Sequence, residues 1–181
     1  MKPTTEQNPD AVFEFDRNTI LVSKTDTRGV IWYANPAFCA AANYSAAELV
    51  GQPHRMVRHP SMPRTAFSLM WEHLQAGEEF FAIVVNARAG GGCYWVLAHV
   101  VPDVNPETGD IIGFHRSRRW ISPAARRAAA EVYAELLDAE RAVTSKAKAV
   151  AAGRARLDAI LAEAGMSYEQ WVMSLALDER A

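Results

Sequence analysis

The side chains with the most chemical capacity lie in one short run, Gln52-Pro53-His54-Arg55-Met56-Val57-Arg58-His59-Pro60-Ser61-Met62-Pro63. It packs two His, two Arg and three Pro into twelve residues. Proline fixes φ and disfavours the helical region for the residue before it, so the run presents its polar groups from a stiff, mostly non-helical path. Arg58 offers a permanent planar cation that can pair with phosphate or an electron-rich ring carbonyl, and His59 offers a titratable hydrogen-bonding group. On residue types alone, a solvated loop accounts for the run slightly better than a ligand site does.

Other candidates carry less. The sequence shows no Walker loop, nucleophile elbow or HExxH helix, so an enzyme is not expected. Gly90-Gly91-Gly92 sits between two strand-like runs with no following helix to complete a phosphate cradle, and reads as a hairpin turn. Cys39 and Cys93 stand far apart and outside any CxxC pattern, which removes a structural zinc site or c-type haem attachment and leaves two reduced, semi-buried thiols. His73 and His99 are possible haem ligands, although a lone histidine is more often structural. Core packing competes with a ligand role for Trp71 and Trp95, and a helix cap competes with it for Asn35.

The elements that must position these groups follow from pattern. In Asn18–Phe38, two β-branched and aromatic runs flank Asp26-Thr27-Arg28-Gly29, a hairpin signature, and Asn35-Pro36 can open a helix. Ser45 with Glu48 forms a capping box, and Gly51 closes that short helix. Phe67, Met70, Trp71 and Leu74 recur at helical spacing between Pro60 and Gly77. Phe80–Asn86, Tyr94–Val101 and Ile111–Arg118 are strand candidates separated by turn formers. The order predicts an α+β domain, a five-stranded antiparallel sheet with short helices gathered on one face. Its boundaries are 18–121, after an N-terminal arm at 1–17.

From 122 to 181 the composition turns Ala-rich and charged, which predicts a helical extension. Ser122-Pro123 starts it, and Leu136, Val143, Val150, Leu157 and Ala164 recur every seven residues as a narrow seam. Residues 123–164 form one rod of roughly 60 Å if Gly153 is tolerated, at about 1.5 Å per residue, and a hairpin if it is not. The thin seam predicts self-association into a homodimer, since isolated helices draw most of their stability from packing. The last strand, Ile111 to Trp120, leads into this extension and is the expected exit for a signal. Along it Phe114 and Arg116 cannot share a face with His115 and Ser117, and Arg116, Arg118 and Arg119 alternatively solvate an edge.

Composition sets the outer limits. The chain has 181 residues, half of them hydrophobic, with a net charge of −2, which favours neither nucleic acid nor an anionic membrane as partner. No stretch has the roughly 20 apolar residues of a membrane-spanning helix and the polar start has no secretory core, so a cytoplasmic location is expected.

The runs NTILVSKTDTRGVIWYANPAF, AELVGQPHRMVRHPSMP, AFSLMWEHLQAGE and YWVLAHVVP, in that order, resemble the PAS domain of bacterial aerotaxis receptors over residues 18 to 120. The Gly-Gln-Pro-His-x-Met-Val-Arg-His-Pro-x-Met-Pro core is particular to that branch. The resemblance implies a PAS fold that binds FAD non-covalently between the sheet and the short helices. It assigns Arg58 and His59 to the flavin-holding pair, Trp71 to the tryptophan of the following helix, Asn86 to the asparagine ending the next strand, and Asn35 to the asparagine opening the first helix. Phe80 stands where the family commonly has Trp, Ser61 where it commonly has an acid, and Trp95 is a further aromatic candidate for the flavin. The photochemical PAS branch places a cysteine where this chain has Arg58-His59, so light-driven adduct formation is disfavoured. The expected function is a flavin-based sensor of redox or oxygen status in energy taxis. The membrane and methyl-accepting segments of those receptors are not seen here, so output is expected through a chemotaxis-type or other signalling partner, or through the chain's own helical dimer. A haem-binding gas sensor and a ligand-free interaction module are the alternatives.

Overall fold

The computed structural model describes residues 11–177. Strands β1 (Leu21–Asp26) and β2 (Ile31–Ala34) form the first hairpin. Its turn is fixed by the Asp26 carboxylate, which accepts from the backbone N–H groups of Arg28 and Val30, and by Gly29 at φ +80°. Helix α1 (Pro36–Ala42) starts where Asn35 accepts from Phe38 N–H, and α2 (Ala46–Leu49) carries the Ser45/Glu48 capping box. A 3-10 turn, His54–Val57, follows, then α3 (Arg64–Gln75), β3 (Phe80–Ala87), β4 (Cys93–Val104) and β5 (Ile111–Arg119). The five strands form one antiparallel sheet in the order β2-β1-β5-β4-β3.

Side chains alternate across a strand, so the register sorts the sheet into two faces. Leu21, Ser23 and Thr25 pair with Arg118, Arg116 and Phe114, and these pair onward with Ala98, Val100 and Pro102. Tyr94, Val96, Ala98 and Val100 in turn oppose Asn86, Val84, Ala82 and Phe80. This inner face packs Leu21, Tyr94, Val96 and Ala98 against Phe38, Ala42, Leu49 and Val57 of the short helices and the 3-10 turn. Trp95, Leu97, His99 and His115 lie on the outer face.

Beyond the sheet, α4 (Pro123–Arg141), α5 (Lys146–Ala164) and α6 (Tyr168–Leu177) follow. Residues 123–164 are thus a hairpin and not a rod, and the break falls at 142–145 rather than at Gly153. Val143 and Thr144, both β-branched, occupy the link, while Gly153 lies buried within α5. The heptad seam is used inside the chain: Leu136 and Leu157 are buried in a core shared with Ile83, Val85, Trp171 and Val172. Tyr133 donates to the Ile83 carbonyl at 2.5 Å, and Tyr168 stacks on Phe80 with centroids 5.4 Å apart. The three helices therefore wrap the β3 side of the sheet, covering an edge that would otherwise be a template for pairing with another chain. The N-terminal arm is docked over its described part: Phe13 N–H donates to Cys93 O and Cys93 N–H to Ala11 O. Residues 1–10 of the expected arm lie outside the described residues. Among the described residues no helix is long and apolar enough to cross a membrane.

Candidate functional site

The inner face carries an unusual charge distribution. Arg116 and Arg118 are 5% and 2% exposed, and neither has a carboxylate partner among the described residues. Arg116 donates to Thr25 Oγ1 at 2.8 Å, and Arg118 to Ser23 Oγ at 3.0 Å and His54 Nε2 at 2.6 Å. Burial pushes the Arg116 pKa down to about 9, assisted by repulsion from Arg118, and burial lowers Arg118 to about 10. Both remain cations at neutral pH. His54, stacked on Phe38, is held neutral: burial drives its pKa well below the usual range, with the two guanidiniums acting in the same direction. A neutral imidazole can accept from Arg118, which fits the short contact.

Three buried polar atoms on this face have no hydrogen-bond partner among the described residues: Asn86 Nδ2, the Tyr94 hydroxyl and Arg118 Nη1. Buried polar groups are nearly always paired, so an unpartnered set gathered round a cation pair calls for an occupant rich in acceptors. A flavin ring, with its two carbonyls and ring nitrogens, has that chemistry. At the other end of the face Trp71 of α3 meets Phe114 edge-on, centroids 5.2 Å apart.

The structure brings some sequence-predicted residues together and separates others. Arg58 and Asn86 are joined by an antiparallel backbone bridge, which places the Arg-His-Pro loop beside β3. The Arg58 guanidinium lies 4.0 Å over the Phe67 ring and donates to Met62 O at 3.3 Å. With Arg55, His59, Arg64 and Arg141 it lines a surface cleft of about 690 Å³. His59 Nδ1 accepts from Ser61 N–H, so the ring also braces its own loop. Trp71 borders the inner face. Phe80 also belongs to that face, but its ring is covered by Tyr168. Asn35 is committed to backbone: it accepts from Val22 N–H and Phe38 N–H and donates to Ile20 O. Trp95 stands on the outer face, opposite Tyr94 and Asn86. The two candidate haem ligands are carboxylate-paired, His73 with Glu78 and His99 with Glu79, and His99 is on the outer face.

Arg116 and Arg118 are buried rather than solvating an edge, whereas Arg119 is exposed. Their sequence signal was the alternation Phe114-x-Arg116-x-Arg118, matched by Leu21-x-Ser23-x-Thr25 on the neighbouring strand. Tyr94 and His54 gave no such signal, because their roles depend on which strands become neighbours.

A five-stranded antiparallel sheet in this order, with short helices packed over its inner face, defines the domain as α+β. The PAS fold family model matches residues 31–118, and this part of the chain has the PAS fold. Over 97 residues it is 46% identical to the aerotaxis receptor of Escherichia coli K12, covering 54% of this chain and 19% of that protein. Over 119 residues it is 34% identical to the nitrogen fixation regulatory protein of Klebsiella oxytoca, covering 65% of this chain and 24% of that one. The chain thus spans a quarter or less of the length of these relatives. Among solved structures, the light state of the blue-light photoreceptor Aureochrome1 LOV superposes with a TM-score of 0.54 at 19% identity, over 65% of this chain and 91% of that one. A light-oxygen-voltage domain studied with a flavin analogue gives 0.53 at 20% identity, over 66% of this chain and 87% of that one. These likenesses are of fold.

Proposed function

We propose that the chain is a flavin-binding PAS sensor of redox or oxygen status, holding FAD and signalling in energy taxis to a chemotaxis-type or other partner protein. The carrying observation is the buried pair Arg116 and Arg118, which has no carboxylate partner among the described residues, beside the Asn86, Tyr94 and Arg118 atoms that lack a hydrogen-bond partner there. The 46% identity over 97 residues to an aerotaxis receptor supports the same reading. Asn86, Tyr94 and Arg118 are the groups suited to hold the ring, and Arg55 and Arg58 in the neighbouring cleft are suited to the phosphates of the dinucleotide. When bound, the flavin supplies a ring that takes up electrons and protons. The chain's own contribution is electrostatic: two fixed cations in a water-poor environment favour added negative charge more strongly than they would at a surface. Neutral His54 orients Arg118 without adding a third positive charge.

The test is direct. Purified protein should show flavin absorbance, and denaturation should release FAD in one-to-one ratio. Arg118→Ala and Arg58→Ala should each lower that ratio, with a loss on the order of 2–5 kcal/mol in affinity for a buried cation paired with an acceptor. Colourless protein that takes up no FAD on reconstitution, or a haem Soret band in its place, would overturn the reading.

A further inference from the structure

The helix that follows the Arg-His-Pro loop cannot cap itself. Helix α3 is preceded by Pro63, which makes no side-chain cap. The first N–H groups of a helix have no intrahelical partner and need an acceptor from elsewhere. That acceptor comes from α4, 75 residues away: Glu140 Oε1 accepts from Thr65 N–H and Thr65 Oγ1–H, both at 2.8 Å, and Oε2 accepts from Arg64 N–H at 3.1 Å. Glu140 is 7% exposed and Thr65 1%. Helix α5 closes the same point. A Cβ added to Gly153 would lie 2.1 Å from Thr65 Oγ1 and 3.1 Å from Glu140 Cγ, so the three helices meet at a contact only glycine permits.

This contact is also adjacent to the loop of the proposed flavin site. Arg58 donates to the carbonyl of Met62, the residue before Pro63; burial lowers the Arg58 pKa, and the nearby Glu140 carboxylate opposes that shift. Its backbone is bridged to Asn86, whose amide lies on the inner face. One loop therefore is bridged to Asn86 on one side and lines a cleft with Glu140, the carboxylate that fastens the C-terminal helices, on the other.

We propose that Glu140 is a latch that fastens the α4–α5 hairpin to the sensor domain, and that rearrangement of the Arg58–Pro63 loop works this latch to loosen or tighten the hairpin. The link from loop to ligand rests on the flavin reading; the latch itself does not. The output is then graded release of the hairpin rather than, or in addition to, strain passed along β5.

Hydrogen exchange on the full-length chain separates the two ideas. Glu140→Ala should speed exchange across α5 and the second half of α4 by at least about tenfold, while β1, β4 and β5 stay protected. Glu140→Gln, which keeps an acceptor oxygen, should restore part of that protection. Gly153→Ala should loosen the hairpin, and adding Thr65→Ala, which removes the clashing hydroxyl, should recover protection despite the lost hydrogen bond. Arg58→Ala should speed hairpin exchange in the parent chain and have no further effect in the Glu140→Ala background. Unchanged hairpin exchange in Glu140→Ala would overturn the latch, and additive effects of Arg58→Ala and Glu140→Ala would overturn the coupling. Absorbance of the same samples reports flavin independently: colourless protein with an intact Glu140 effect would sink the cofactor and keep the latch.

Discussion

Two places in this molecule bury charge with no salt bridge to it among the described residues, and they answer that charge in opposite ways. At Glu140 the carboxylate receives three hydrogen bonds, two of them from helix N–H groups that have no other partner. On the inner face of the sheet, two guanidiniums sit among hydroxyls and a neutral imidazole, and one of their N–H groups stays open along with an asparagine amide and a tyrosine hydroxyl. The first arrangement is complete and contributes to holding the chain together. The second is incomplete among the described residues, and it is the incompleteness that makes it the candidate site. Burial of charge does not by itself distinguish structure from function; what distinguishes them is whether the chain answers the charge with its own atoms.

Removing each charge in turn should separate the two arrangements. Glu140→Ala leaves two backbone N–H groups and a hydroxyl unanswered and should cost about 1–3 kcal/mol in unfolding free energy for each donor that stays buried. Arg118→Met, which replaces an uncompensated buried cation with an apolar chain of similar length, should in flavin-free protein be neutral or stabilise by about 1–4 kcal/mol, while still impairing flavin retention. Chemical denaturation with and without added FAD checks both, and a strongly destabilised flavin-free Arg118→Met would show that the pair is structural after all.

A pH series sharpens the picture of the inner face. His54 is neutral in the folded chain because its pKa is depressed, whereas in the unfolded chain it binds a proton below its ordinary value. The unfolded state therefore takes up more protons as pH falls through about 6.5, and stability should drop by up to about 1.4 kcal/mol per pH unit below that point. His54→Gln should flatten this slope between about pH 6.5 and 5; an equal slope in the variant would remove His54 from the account. The smallest effect is expected at Asn35, whose side chain is fully engaged with backbone. Asn35→Ala should cost about 0.5–2 kcal/mol through the lost cap. Affinity for FAD should stay within twofold when corrected for that loss, and titration calorimetry would reveal a larger direct role.

Much of the fold was legible because its signals are local. Asp26 to Gly29, Asn35-Pro36, Ser45 with Glu48, and Ser122-Pro123 each specify a turn or cap within four residues, and the structure has every one. The extension was less legible. Its Ala-rich seam is compatible with a rod or a hairpin, and Gly153 drew attention as the weak point when it is in fact the close-approach point of α5. The Glu140 cap spans 75 residues and matches no motif, so a sequence pattern could not reveal it. The candidate site divided along the same line. The Arg58-His59 loop was readable from composition and family resemblance. The inner-face cations required knowing that β5 lies between β1 and β4, which puts Arg116 and Arg118 opposite Ser23 and Leu21.

The docked arm gives the molecule a built-in chemical reporter. Cys93 is 6% exposed, and backbone hydrogen bonds to Ala11 and Phe13 run directly across it. Gly92 beside it has no room for a side chain, since a Cβ there would lie 2.7 Å from Ala11 O. A thiol reagent can reach Cys93 only when this strip lifts, whereas half-buried Cys39 needs no such event and is slowed mainly by the upward push that burial gives its pKa. The ratio of the two labelling rates thus measures how often the arm peels from β4. Because Glu14 of the arm also pairs with Arg126 at the start of α4, that ratio reads the attachment of the helical wrap at the end of α4 opposite Glu140.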